Sequence, residues 1–179
     1  YKVTQAIKTD GTQWIWGSNN DGELGVGARM NGYYLNEKSS PVQLAGSFTK
    51  VQNSSSLKTD GSLWMWGNNV YGQLGLNQSW GGTPVSVYGM SSPCQIPGTW
   101  KDFSKATTEN SFCSGIKTNG TLWCWGKNDA GQSGNGTPGQ PDYHPMWRIS
   151  SPTQIGTDTD WDRCADYTGD AQKNVWQKT

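Results

Sequence analysis

This chain of 179 residues is poor in several things that common functions need. It has one histidine, His144, and three phenylalanines, and its 14 basic side chains match its 14 acidic ones. A nucleophile–histidine triad or a multi-histidine metal centre therefore has almost no material, and neither a metal nor a cofactor is expected. Without a Lys/Arg run there is no basic face to neutralise phosphates, so nucleic acid is not an expected partner. No stretch approaches the ~18 apolar residues of a membrane span. The four cysteines, Cys94, Cys113, Cys124 and Cys164, include no Cys-x-x-Cys pair, which argues against zinc. Helical periodicity is absent throughout. What is abundant is 24 glycines, 11 tryptophans and seven tyrosines. High aromatic content with few charges is not the composition of a disordered chain. It predicts an all-β protein with glycine turns and aromatic cores.

The sequence repeats itself. Ile7–Gly27, Leu57–Asn77 and Ile116–Gly136 align without gaps, and the starts lie 50 and then 59 residues apart. Each copy is followed by a Ser-Ser-Pro element, at Ser39, Ser91 and Ser150, and then by Phe48–Val51, Trp100–Phe103 or Trp161–Cys164. Repeats this long, built from short strands, indicate a propeller or a similar array. Asp10-Gly11, Asp60-Gly61 and Asn119-Gly120 each separate two apolar runs, which predicts a hairpin with a two-residue type I′ turn. The second strand is Trp-x-Trp: Trp14 and Trp16, Trp64 and Trp66, Trp123 and Trp125. Alternation makes both strand faces apolar, so both are expected to be covered and these six tryptophans to form the core.

The pattern K-T-[DN]-G-x-[LQ]-W-x-W-G-x-N-x-x-G-[QE]-[LS]-G, followed by S-S-P-x-Q-[LI], resembles the regulator-of-chromosome-condensation repeat family. The resemblance covers nearly the whole chain. It implies a β-propeller, usually of seven blades, and the Trp-rich Ser-Ser-Pro form looks like bacterial and bacteriophage members. The aromatic-His-Ser stretch common in that family is replaced here by Asn53-Ser54-Ser55 and Asn110-Ser111-Phe112. Eukaryotic relatives exchange guanine nucleotides on a small GTPase and bind chromatin, and a secreted relative inhibits β-lactamase. The expected organisation is one propeller segment over 1–179, with repeats at about 1–52, 53–105 and 106–164 and a fourth begun at 165–179. Three blades do not close a ring, and open strand edges pair with something. Either further blades of the same chain or other copies of it would supply the strands. The chain opens on Tyr1 rather than Met, which reads as a processed, excised or partial sequence.

Function is expected in the variable loops between the glycine motif and Ser-Ser-Pro. They carry Tyr33 and Tyr34, Trp80 and Tyr88, and Tyr143, His144 and Trp147. Insertions at equivalent points of a repeat array project from one face, and Tyr and Trp give large contact area at low entropic cost. The same aromatics could instead cover their own loops. The favoured reading is a non-enzymatic scaffold that contacts a protein or a surface glycan, in an extracellular, cell-surface or virion setting. Exchange-factor and protein-inhibitor functions are the alternatives. Cys94 and Cys164 are read as small core residues. Cys113 and Cys124 flank one hairpin turn, where a two-residue loop makes them same-face diagonal neighbours, so free thiols are expected ahead of a bridge. Asp158-x-Asp160-x-Asp162 is a solvated turn or, less simply, a calcium loop. Asn-x-Ser/Thr occurs at Asn53, Asn77, Asn119 and Asn135 and matters only in a glycosylating secretory path.

Overall fold

Each repeat folds into antiparallel strands because its apolar residues alternate and glycine turns interrupt them. The computed structural model describes residues 3–27, 37–77, 89–105, 111–136, 148–165 and 176–178. The first sheet holds β1 (Val3–Ile7), β2 (Gln13–Gly17) and β3 (Lys38–Leu44) in that order. The second holds β4 (Phe48–Val51), β5 (Ser55–Lys58), β6 (Leu63–Asn68) and β7 (Gly89–Ile96). The third holds β8 (Trp100–Lys105), β9 (Phe112–Lys117), β10 (Leu122–Lys127) and β11 (Arg148–Gln154). A last pair joins β12 (Trp161–Cys164) to β13 (Trp176–Lys178). The protein is therefore all-β among the described residues, with two complete four-stranded blades and two partial ones. The β12–β13 register, Trp161↔Lys178, reproduces Trp100↔Lys117 of the preceding blade, so a further blade begins there.

Sheets and sequence repeats are out of phase by one strand. The segment after each Ser-Ser-Pro strand crosses to the next sheet and becomes its first strand. Its entry hangs on the hairpin turn of the sheet before. Phe48 N donates to Gly11 O at 2.9 Å, Trp100 N to Gly61 O at 2.8 Å and Trp161 N to Gly120 O at 3.2 Å. β4 consequently lies against β1, β8 against β5, and β12 against β8 and β9.

The hairpin turns differ from expectation. Lys8 N donates to Thr12 O and Gly11 N to Lys8 O, both at 2.9 Å. The register is Ile7↔Gln13, and only Gly11 of the turn is left-handed (φ 83°). This is a three-residue loop with a glycine bulge, not a two-residue type I′ turn. The cause is the side chain that precedes the glycine. Asp10 Oδ1 accepts from both N and Oγ1 of Thr12, at 2.9 and 2.7 Å, and holds Asp10 in ordinary turn geometry. Asp60 does the same to Ser62, and Asn119 to Thr121. Two consecutive left-handed residues occur instead at Asn53 (φ 42°) and Ser54 (φ 56°), where β4 turns into β5 without any glycine.

The longer loop also moves the cysteines. Cys113 pairs with Trp125, and Cys124 with Ser114, which puts the two thiols on opposite faces of the sheet. No bridge forms, and none of the four cysteines is in a disulfide. Burial pushes the Cys113 thiol up to about 12 and also raises Cys124, so both are unreactive packing groups. Cys164 is buried as expected, whereas Cys94 is only half-buried at the outer strand β7.

Candidate functional site

The six loop aromatics Tyr33, Tyr34, Trp80, Tyr88, Tyr143 and Trp147 lie outside the described residues. Two of the three loops leave the framework at matching points: Gly27 N and Asn77 N each donate to the next sheet's outer strand, at Ser91 O and Ser150 O, both at 2.7 Å.

Each loop root is a knob that the repeat builds from side-chain-to-backbone bonds. Asn19, Asn69 and Asn128 each accept the amide of the residue five positions on, at 3.0 Å. Glu23, Gln73 and Gln132 reach back to the amide two positions earlier, at 2.8, 2.8 and 2.9 Å. The knob of one blade receives the second tryptophan of the next. Trp66 Nε1 donates to Glu23 O at 2.7 Å and Trp125 Nε1 to Gln73 O at 3.1 Å. Glycine is required at the contact, because a Cβ on Gly25 would stand 3.0 Å from the Trp66 indole and one on Gly75 3.2 Å from Trp125, with both φ near +65°. Glu23 is the acidic variant of this position, and its burial holds the carboxyl above the usual range.

The six expected core tryptophans thus divide. Trp66 and Trp125 are fully buried, while Trp14, Trp16, Trp64 and Trp123 are half-buried. Trp16 meets no knob among the described residues. The first tryptophan of each pair belongs to a surface device that the sequence reading missed. Its indole N–H is held by the turn hydroxyl: Trp14 by Thr12 at 3.2 Å, Trp64 by Ser62 and Trp123 by Thr121, both at 2.8 Å. A lysine ammonium stands over its ring: Lys8, Lys58 and Lys117 at 4.2, 4.4 and 3.6 Å from the centroid. The signal was present as K-T-[DN]-G-[ST]-x-W, whose Lys, hydroxyl and Trp line up only once the turn has three residues.

Between neighbouring sheets these tryptophans floor two equivalent clefts. The first, about 270 Å³, is lined by Gly25, Leu44, Phe48, Lys58, Trp64 and Pro93 among others. The second, about 400 Å³, includes Asn77, Gln95, Pro97, Lys117, Trp123 and Pro152. Pro93 and Pro152 come from the Ser-Ser-Pro strands, which places a rigid apolar wall at the same point of both. Burial lowers the Lys117 pKa. Asp60 lies beside Lys58, and the equivalent position near Lys117 is the neutral Asn119.

The acidic turn residues build no metal site. Asp162 is committed to Lys101 at 2.6 Å, which with Arg163 holds its carboxyl below the usual range. No group of three potential ligands occurs among the described residues. Of the three aspartates first read as a solvated turn or a calcium loop, Asp158 and Asp160 are exposed, while Asp162 lies on β12. Asn53, Asn77, Asn119 and Asn135 are all exposed, although the Asn53 amide is engaged by Lys105 O at 2.9 Å.

The regulator of chromosome condensation (RCC1) repeat is found at residues 60–107. No curated protein matches the chain in sequence. Among solved structures, human WBSCR16 is 21% identical, with a TM-score of 0.60 over 86% of this chain and 35% of that one. Prp20p from Saccharomyces cerevisiae, described with its binding to Gsp1p and histones, is 19% identical, with a TM-score of 0.63 over 89% of this chain and 38% of that one. Yeast RCC1 (Prp20) bound to Kap60 gives 19% and 0.64 over 89% and 37%. The chain spans little more than a third of the length of these proteins. At such identities the likeness concerns fold, and it agrees with the blade geometry above: the chain is an array of RCC1-type β-propeller blades.

Proposed function

We propose that the chain is a non-catalytic scaffold whose rigid blades present their variable loops to a protein partner, on an exported, cell-surface or virion-borne molecule of bacterial or bacteriophage type. The observation that carries the reading is the anchoring of loop roots. Gly27 and Asn77 are hydrogen-bonded to the next sheet, so the loops that follow them start from fixed points of a stiff lattice. Pre-organisation of this kind lowers the entropic cost of binding. The aromatic content of the loops supplies anchors, and near-zero charge suits a displayed protein. Yeast RCC1-type propellers are described with protein partners, which supports a protein over a small molecule.

The test is a double variant, Trp80→Ala with Trp147→Ala, immobilised beside the parent chain and exposed to surface proteins of the source. Retention of a discrete protein by the parent and its loss in a variant with an unchanged circular-dichroism spectrum is the expected result. Equal retention overturns the loop assignment. An exchange-factor role is separated by release of a fluorescent guanine nucleotide from a small GTPase: acceleration by the chain would replace the scaffold reading.

A further inference from the structure

The two clefts share a floor and a wall but not a chemistry. In the second, Lys117, Gln95 and Asn77 surround the half-buried Trp123 indole. Among the described residues the Lys117 ammonium has neither a carboxylate nor a hydrogen-bond acceptor; it stands over the Trp123 ring at 3.6 Å and, more distantly, over that of Trp100 at 5.4 Å. The side-chain amides of Gln95 and Asn77 are likewise uncommitted among the described residues. Trp123 itself is fixed by Thr121, so the platform is rigid. The arrangement is an apolar ring surface, a partly buried cation and two amides around about 400 Å³. The first cleft lines the same space with Leu44 and Phe48, lacks both amides and has Asp60 beside its lysine.

We propose that the cleft between the second and third sheets binds a carboxylated sugar unit of an acidic polysaccharide, with Trp123 as platform, Lys117 for the carboxylate, and Gln95 and Asn77 for hydroxyls. A pyranose has an apolar C–H face that packs on an indole and equatorial hydroxyls that pair with planar amides. An unpaired ammonium at the edge of that platform selects a negative substituent. The volume takes one or two sugar rings and is short for an extended peptide. This site is formed by the framework and is independent of the loop contacts proposed above, so either can fail without the other.

Isothermal titration calorimetry of the 179-residue chain with trigalacturonate, its methyl ester and hexaglutamate tests the assignment. Saturable binding of trigalacturonate is expected, weakened about tenfold by esterification and by Lys117→Gln, the size of one charge-assisted bond. Asn119→Asp, which installs the first cleft's carboxylate, weakens it about threefold. Gln95→Ala, an exposed position that leaves the fold intact, weakens it severalfold and decides the matter should Lys117→Gln melt early. The proposal is overturned by absence of saturable heat, by unchanged affinity in folded Lys117→Gln or Gln95→Ala, or by hexaglutamate binding as tightly as the sugar.

Discussion

The seam between the first and second sheets and the seam between the second and third are built on one plan, yet they are not equally strong. Both bury the second tryptophan of the pair against a knob carbonyl, Trp66 on Glu23 and Trp125 on Gln73. Around Trp66 the buried cluster holds Ile15, Leu24, Leu44 and Phe48. Around Trp125 it holds eight further buried residues, among them Met65, Leu74, Trp100 and Phe103. The difference lies in the first strands. The third sheet faces a complete blade, so β8 adds Trp100, whose ring lies 5.5 Å from Trp125. It also adds Asp102, paired with Lys50 at 2.9 Å, and Lys105, whose ammonium reaches Ser54 O and Trp66 O at 3.4 and 3.3 Å. The first sheet has no counterpart of β4 or β8 among the described residues. Seam strength in this array is therefore set less by the repeated tryptophan than by what the innermost strand brings.

The largest effect expected from that comparison is in the tryptophans themselves. Trp125→Ala should cost about 5 kcal/mol and Trp66→Ala about 3 kcal/mol, the two ends of the range for removing a buried indole. Trp16→Ala, already half-exposed, should cost less than either. Denaturant unfolding followed by far-ultraviolet circular dichroism gives the order. Equal losses for Trp66 and Trp125 would break the argument that the first strand decides the seam.

Next comes Gly115→Ala. The backbone there is unstrained, but an added Cβ would stand 2.7 Å from the Trp100 ring and 3.2 Å from that of Trp125. Overpacking two fully buried indoles should cost about 1–3 kcal/mol. It should also lower the near-ultraviolet signal of the Trp100–Trp125 pair. A neutral substitution would mean that this cluster yields easily, contrary to its burial.

The same comparison shows how far the residues alone carried. The blade pattern and its order were legible, because Trp-x-Trp, Ser-Ser-Pro and the glycine motif recur and strand alternation follows directly from them. The turn type was not, because Asp-Gly favours a two-residue loop only until Thr12, Ser62 or Thr121 offers the acid or amide before the glycine two donors. That one-residue change shifted the pairing by one place and placed Cys113 and Cys124 on opposite faces. The left-handed pair Asn53-Ser54 was hidden for a related reason. It carries no glycine, and it is held by long-range bonds, Ser54 Oγ to Glu23 O and Asn53 to Lys105 O. The Lys–Trp clefts escaped because Trp64 and Trp123 occupy core-like positions in the repeat, and only the blade stack leaves their outer edges uncovered.

The smallest effect, and the finest test of the seams, is electrostatic. Lys105 is wholly buried in the second seam, and burial brings its pKa down to about 8, partly offset by Glu23 and Cys113, the titratable groups that face it. An unfolded lysine titrates near 10.4, so between about 8 and 10.4 the unfolded chain holds more protons than the folded one. Stability contributed by this group therefore rises with pH across that window and is flat, with the full penalty present, below it. Lys105→Met abolishes the titration, while the other lysines titrate alike in both proteins and cancel in the difference. The parent should gain stability relative to the variant between pH 8 and 10.4, read from paired denaturant melts. A difference curve for Lys105→Met that stays level would mean that water reaches the ammonium. The inner strand would then pack no more tightly in the second seam than in the first.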